Sequence, residues 1–228
     1  MIYFMGCVAR EKLENISKST EEILKHAGID YKILENEKCC GSFLLRTGFV
    51  DEAKEVMKAT LKEIKGEKVL VSCAGCYKTF KKDYKDVFNV EIDVIHTSEF
   101  FSELIKQKKL DLKHLNKKVT YHDPCHLGRE MDEYETPRAV ISKTADLIEM
   151  VRSREKSRCC GAGAGVRSAY PEITEEIARV RLEDAENVNA EIIITTCPFC
   201  MLNMKSACLN KNKVLDISEI IVKALKKN

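Results

Sequence analysis

The sequence predicts an α/β protein built twice: two pseudo-equivalent domains, 1–110 and 117–228, each a parallel sheet flanked by helices. Three observations lead there. Short apolar runs of strand length alternate with amphipathic stretches of helical period, the order that produces parallel sheets covered by helices. Ten of the eleven cysteines repeat one order, a single residue, an adjacent pair plus glycine, then CxxC. The offset between copies is nearly constant: 118 positions from Cys7 to Cys125, 120 from Cys39 to Cys159 and 124 from Cys73 to Cys197, as duplication of one unit leaves behind. Third, the single cysteines and the CxxC motifs follow apolar runs, placing them at the carboxyl ends of strands, where sites form in such sheets.

In chain order, residues 2–6 form a short apolar strand that ends on Gly6-Cys7. Leu13, Ile16, Thr20, Ile23, Leu24 and Ala27 repeat at helical spacing before Gly28, a natural stop. Residues 29–35 alternate as a strand and deliver the chain to Cys39-Cys40-Gly41. Val50, Ala53, Met57, Leu61 and Ile64 mark a second helix, and residues 68–72 a buried strand into Cys73-Ala74-Gly75-Cys76. A polar helix over 77–87, a strand over 91–96 and a helix over 98–106 complete the first copy, with 111–116 as linker. The second copy restarts with the strand 118–122 before Cys125. Thr136-Pro137 supplies an N-cap and first-turn proline for a helix to Ala145. A strand over 147–151 precedes Cys159-Cys160-Gly161, Pro171 opens a helix through Ala185, and residues 191–196 run as a buried strand into Cys197-Pro198-Phe199-Cys200. A short helix with Met201, Met204 and Cys208, a strand over 214–217 and a closing helix from Ser218 finish the chain. The alternation defines a Rossmann-like fold in each copy.

The composition, 44% apolar and 32% charged, is that of a soluble globular protein, and no apolar run approaches the roughly 18 residues a membrane-spanning helix needs. A net charge of +2 with interleaved signs gives no reason to expect nucleic acid or an anionic membrane surface as partner. The apolar N-terminus lacks a basic lead, so it reads as a strand and not as a signal peptide. Eleven cysteines without a secretory signal point to a reducing cytoplasmic compartment, with any membrane association made through a partner.

Five cysteines in each copy are one too many for a tetrahedral structural zinc, and adjacent cysteines have difficulty aiming both sulfurs at one small ion. A multi-iron cluster spreads its ligand positions over several ångströms and suits such a set better. Two other readings stay open on the residues alone: a thioredoxin-like dithiol in either CxxC, and a zinc-binding or disulfide-stapled interaction protein without catalysis.

The full order, with His122-Asp123-Pro124-Cys125-His126-Leu127-Gly128-Arg129 around the second single cysteine, resembles the tandem cysteine-rich CCG domains of the B-type and D-type subunits of heterodisulfide reductase. The likeness runs over essentially the whole chain. It implies two noncubane [4Fe-4S] clusters, one on Cys7, Cys39, Cys40, Cys73 and Cys76, the other on Cys125, Cys159, Cys160, Cys197 and Cys200. It also implies reduction of a mixed disulfide, in methanogens that of coenzymes M and B, at the paired clusters. The alternative within the family is an electron relay in an anaerobic glycerol-3-phosphate or lactate dehydrogenase complex. The chain begins directly at the first CCG unit, so electrons are expected from a ferredoxin-like or other iron–sulfur protein. Only 31 residues separate Gly41 from Cys73, against 35 between Gly161 and Cys197. The N-terminal set is therefore where zinc or a smaller cluster is the alternative.

Beside the cysteines, His126 is the candidate proton donor to a leaving thiolate, and His122 a lesser candidate. Arg129, Arg158 and Arg167 are candidates for binding an anionic substrate, with surface solvation as the plainer fate of each. The glycines of 161–165 suit close backbone approach to a cluster better than a phosphate loop, since no Lys-Ser/Thr follows. Cys208, in helical register with Met201 and Met204, is expected to be a buried apolar residue.

Overall fold

In the computed structural model, which describes residues 1–210 and 213–226, two parallel sheets lie on a common core. The strands are short, and most of their residues are buried, because helices cover both faces. β1 (Ile2–Phe4), β2 (Val69–Val71) and β3 (Val94–His96) form the first sheet in that order. β4 (Lys118–His122), β5 (Asp146–Leu147), β6 (Ile192–Thr195) and β7 (Val214–Asp216) form the second in the order β5-β4-β6-β7. Lys32 makes an isolated parallel bridge to Ile2, so it occupies beside β1 the place that β5 holds beside β4. The two sheets therefore share one topology.

The registers match as well. Tyr3 pairs with Leu70, and Tyr121 with Ile194, at the offsets set by the cysteines. Each tyrosine hydroxyl is buried and bonded to a hydroxyl just before CxxC: Tyr3 to Ser72 at 2.9 Å, Tyr121 to Thr196 at 2.7 Å.

The helices of the first half are α1 (Cys7–Glu11), α2 (Glu14–His26), α3 (Ser42–Arg46), α4 (Val50–Ile64), α5 (Ala74–Lys78), α6 (Tyr84–Phe88) and α7 (Thr97–Lys106). Those of the second are α8 (Gly128–Met131), α9 (Glu135–Thr144), α10 (Val166–Ala169), α11 (Pro171–Glu186), α12 (Pro198–Ala207) and α13 (Ile217–Ala224). The last helix of each half packs on the first long helix of the other, α7 on α9 and α13 on α2. This reciprocal exchange makes one core from both halves, with Ile23, Phe101, Ile141 and Ile221 in a single cluster. Polar contacts pin the join: the His96 imidazole bonds the Thr196 carbonyl at 3.1 Å, and the Ser218 hydroxyl donates to the Ile16 carbonyl at 3.5 Å. α7 and α13 also begin alike, on capping boxes formed by His96 with Glu99 and Asp216 with Glu219.

Several expected elements differ. Residues 29–35 are not a strand beyond the Lys32 bridge, because their alternation (Ile29, Tyr31, Ile33) packs against the core while β1, only three residues long, offers little edge to pair. β5 ends at Leu147, short of the expected Val151, with one further bond running from the Ile148 amide to Val119. The 77–87 helix is interrupted by a π-helical turn, Thr79–Asp83, between α5 and α6. Thr136 does not cap α9. The helix starts at Glu135, the Thr136 hydroxyl has no partner, and its amide donates to the Glu133 carboxylate at 3.0 Å. The linker is tied down: Lys113 and Leu115 donate to the carbonyls of Ala224 and Thr144. Among the described residues no helix is long and apolar enough to cross a membrane.

Candidate metal centre

Parallel strands put the residues that follow them at one end of the sheet, and here the two sheets present those ends to the same cleft. Cys7 opens α1 after Gly6, whose φ of 81° suits glycine, and Cys73 caps α5 with Cys76 in its first turn. In the second half Cys125 follows β4, Cys197 caps α12, and Cys200 sits in that helix's first turn. Both CxxC motifs thus lie at helix N-termini, but neighbouring sulfurs and burial push the Cys73, Cys76 and Cys200 thiols up, and only Cys197 is held down. The adjacent pairs stand in irregular loops that end on Gly41 and Gly161, with φ of 87° and 90°. A side chain at Gly41 would overlap Met57, and one at Gly161 would press on Ile177 and the Thr174 carbonyl. Each glycine lets its loop lie directly on the helix beneath and turns its amide to the first sulfur of the pair: Gly41 to Cys39 at 3.5 Å, Gly161 to Cys159 at 3.3 Å.

The ten cysteines of the two sets line one open cleft. Sulfur contacts run without a break from Cys7 through Cys39, Cys40, Cys76 and Cys73, cross to Cys197, and continue through Cys200, Cys160 and Cys159 to Cys125. Cys40 and Cys76 are 3.3 Å apart. The path is a palindrome about the Cys73–Cys197 junction, each half contributing five sulfurs. All eleven cysteines are free. Donation from Cys40, Cys7 and the Gly41 amide holds Cys39 well below the usual thiol range. Cys159 is held down in the same way by Cys125, Cys160 and the Gly161 amide. A carboxylate braces the first loop: Glu37 accepts from the amides of Met5 and Gly6 at 2.7 and 3.0 Å, and burial raises its pKa to about 7.

Of the other candidates, His126 lines the cleft and faces Gly75 of the opposite CxxC. Burial and Arg46 lower its pKa, so its ring is neutral near pH 7. His122 is fully buried beneath the second set, its pKa lowered to about 3 by burial and by Arg181. The three arginines chosen from sequence do not line the cleft. Arg129 donates to the Ser157 carbonyl, Arg158 pairs with Asp184, and Arg167 bonds Asn203 and Ser206. Arg46, which sequence reasoning passed over, does line it, held by Ser42 at 3.0 Å and Asp83 at 3.3 Å. Its signal was its place one helical turn after the Cys39–Gly41 motif. Cys208 is only half-buried, at the end of α12, and donates to the Asn210 carbonyl at 3.1 Å; Met201 and Met204 are fully buried. The helix stops at Ala207, which turns Cys208 off the buried face.

A family model described as "CCG: Cysteine-rich domain" matches the chain twice, over residues 1–81 and 119–205. The chain belongs to the cysteine-rich CCG family. Among the similar proteins of this family is the D-type subunit of the dihydromethanophenazine:CoB–CoM heterodisulfide reductase of Methanosarcina acetivorans, 39% identical over 97% of this chain and 57% of the relative. The B-type subunit of the fumarate reductase (CoM/CoB) of Methanothermobacter marburgensis is 33% identical over 96% of this chain and 45% of its own length. The EtfAB:quinone oxidoreductase of Syntrophomonas wolfei is 28% identical over 98% and 34%. The chain thus spans a little over half of the heterodisulfide reductase relative and less of the others. These relatives are oxidoreductases or subunits of them. Among solved structures, glutamate racemase RacE1 of Bacillus anthracis aligns with a TM-score of 0.43 at 13% identity, covering 98% of this chain and 79% of that one.

The CCG residues fit an iron–sulfur group on this structure's own terms. Each half offers five free thiols to one space, more than a tetrahedral ion accepts. The Gly41 and Gly161 amides are aimed at sulfur, the His122 ring lies beside Cys160 and Cys200, and its buried Nε2 has no partner among the described residues.

Proposed function

We propose that each five-cysteine set holds an iron–sulfur cluster of the [4Fe-4S] noncubane kind, and that the pair reduces a small disulfide bound in the cleft between them. The observation that carries this reading is the single cleft lined by both sets, meeting at Cys73 and Cys197. The balance is one disulfide, two electrons and two protons to two thiols. The clusters supply one electron each and a site at which sulfur can bind.

The chain's own residues do the rest. Cys39, Cys40, Cys73 and Cys76 with Cys7, and their five counterparts, are the ligands. His126 faces the opposite CxxC and, as a neutral ring, is placed to donate a hydrogen bond to a departing thiolate at the junction and to relay a proton that solvent supplies. Arg46, buried at its base and anchored to Asp83, gives the cleft wall a fixed positive charge suited to a substrate carrying an anionic group. Phe43, Pro198 and Phe199 line the same wall and exclude water from the reacting sulfurs. Electrons come from an iron–sulfur partner protein or from a further part of a longer chain.

Anaerobic iron, sulfide and zinc analysis tests the reading, with EPR spectra taken before and after adding a thiol product. About eight irons per chain and a thiol-dependent signal support it. Eight irons without a thiol response would make the chain an electron relay, and zinc alone would remove both accounts.

A further inference from the structure

The two sets are built alike, but what lies behind them is not. At the offset of 118 that relates Cys7 to Cys125, His122 takes the place of Phe4. Phe4 is buried edge-on against Phe80, its ring centroid 5.0 Å away, in a wholly apolar setting. His122 is equally buried and lies against a buried guanidinium: Arg181 Nε donates to His122 Nδ1 at 3.1 Å. Arg181 is itself fully buried and fixed by the Arg152 carbonyl at 2.8 Å, Asp184 at 3.1 Å and Ser157 at 3.1 Å. Counting from Met57 and Ile177, the residues that lie against Gly41 and Gly161, Arg181 corresponds to Leu61. A histidine–arginine pair therefore stands behind the second set, where the corresponding positions of the first half carry phenylalanine and leucine.

An arginine N–H cannot be given up, so Nδ1 of His122 is an acceptor and the ring proton resides on Nε2. That Nε2 is buried without a partner among the described residues, and a ring nitrogen of His122 lies within 4.8 Å of the Cys160 and Cys200 sulfurs, which lie within the same distance of each other. A nitrogen already bearing a proton does not ligate metal, which separates His122 from the ligand role that its distance alone would allow. A buried N–H with no acceptor is costly, whereas one aimed at a cluster sulfur is satisfied.

We infer that His122, oriented by Arg181, donates its Nε2–H to sulfur at the Cys125 set and makes that cluster the more easily reduced of the two. The inference rests on the proposal that both sets hold iron. Hydrogen bonds to sulfur and nearby positive charge both favour the reduced cluster. At the corresponding positions of the first half, Phe4 and Leu61 offer neither, while the glycine amide on the first sulfur of the pair is common to both sets. Electrons entering the pair settle first on the second set, so the chain has an electron-rich side and an electron-poor side despite its duplication. His122 is a positioning and tuning residue here, not a ligand.

The test uses the full chain loaded anaerobically, with iron and sulfide measured first. In protein carrying ¹⁵N-histidine, pulsed EPR of the one-electron-reduced sample is expected to show a histidine nitrogen coupling and an exchangeable proton lost in D2O. Both should disappear in His122→Phe, persist in His126→Gln, and the proton should return in His122→Gln. In an EPR-monitored redox titration, the more positive of two waves should move towards the other in His122→Phe while the other stays. Full iron with no histidine coupling in the unaltered protein would overturn the inference and leave the cluster reading intact. Equal movement of both waves, or loss of the coupling in His126→Gln, would overturn it too. If His122→Phe does not load, the unaltered protein and His126→Gln decide. Absence of iron from the unaltered protein overturns the cluster reading and this inference together.

Discussion

Replacing Arg138 by methionine should destabilise the metal-free protein by about 3–5 kcal/mol, the range for removing one partner of a buried ion pair. Arg138 donates to both oxygens of Asp123, at 2.6 and 3.0 Å, to both oxygens of Glu149, and to the Tyr134 carbonyl at 2.7 Å. The guanidinium also lies over the Tyr121 ring, 5.1 Å from its centroid. Side chains of Arg138 and Asp123 are 5% and 3% exposed, so water cannot replace the lost partner. In the variant, Asp123 keeps one donor to its carboxylate, the Arg154 amide at 3.0 Å. Because Asp123 stands two residues before Cys125, the same loss should loosen the loop that presents this sulfur and lower iron retention in the second set. Urea unfolding of chelator-treated, reduced protein gives the free energy, and the Asp123→Asn/Arg138→Met cycle gives the coupling. Arg179→Ala, which breaks only exposed contacts with Glu175 and Glu176, should cost less than about 1 kcal/mol and serves as the control. A loss for Arg138→Met no larger than that control would refute the reasoning.

Other expectations follow from local geometry. Gly161→Ala should cost roughly 1–3 kcal/mol, since its φ of 90° and the Thr174 carbonyl oppose a Cβ. Gly163→Ala, with nothing within 4 Å of its new Cβ, should be near neutral by the same unfolding assay; similar costs would contradict the assignment. Asp216 is fully buried with Oδ2 unpartnered, and burial raises its pKa to about 7. Its folded form therefore holds a proton that the unfolded chain releases above about pH 4, so its stabilising contribution is lost as pH rises from about 4 to 7. Asp216→Asn, which keeps the bond accepted from Ser218, should shrink that decline in unfolding free energies; an unchanged slope would contradict it. Cys208→Ser should leave iron content unchanged while Cys160→Ser lowers it, measured side by side after anaerobic loading.

The parts legible in the sequence were those with strong local signatures. The strands of the two sheets announced themselves as apolar runs, and the cysteine order fixed their carboxyl ends and the duplication. Less legible were features decided by distant partners. Residues 29–35 alternate like a strand, but how far such a run pairs depends on the length of its neighbour, and β1 offered one bridge. Thr136-Pro137 reads as a cap and first turn, yet Glu133 reaches the Thr136 amide and the helix begins two residues earlier. Arg129, Arg158 and Arg167 lie near the second set in sequence, but each is drawn away by a carbonyl, carboxylate or amide acceptor. Arg46 lines the cleft from α3, beside the Cys39–Gly41 motif of its own half, where Ser42 and Asp83 hold it. His122 looked subordinate to His126 until Arg181, 59 positions away, was found against its ring.

The central claim is that the two cysteine sets act together on one disulfide in their common cleft. Its most direct test is a single turnover: anaerobic protein reduced by two electrons, mixed with a small disulfide and sampled for thiols. Three proteins are compared, the unaltered chain, Cys40→Ala and Cys160→Ala, each with its iron content known. The account predicts two thiols per disulfide and two electrons consumed by the unaltered protein, with cleavage lost when either set is broken. Unimpaired cleavage by a variant lacking one set, or reoxidation of the intact chain by a dye with no thiol formed from the disulfide, would contradict it.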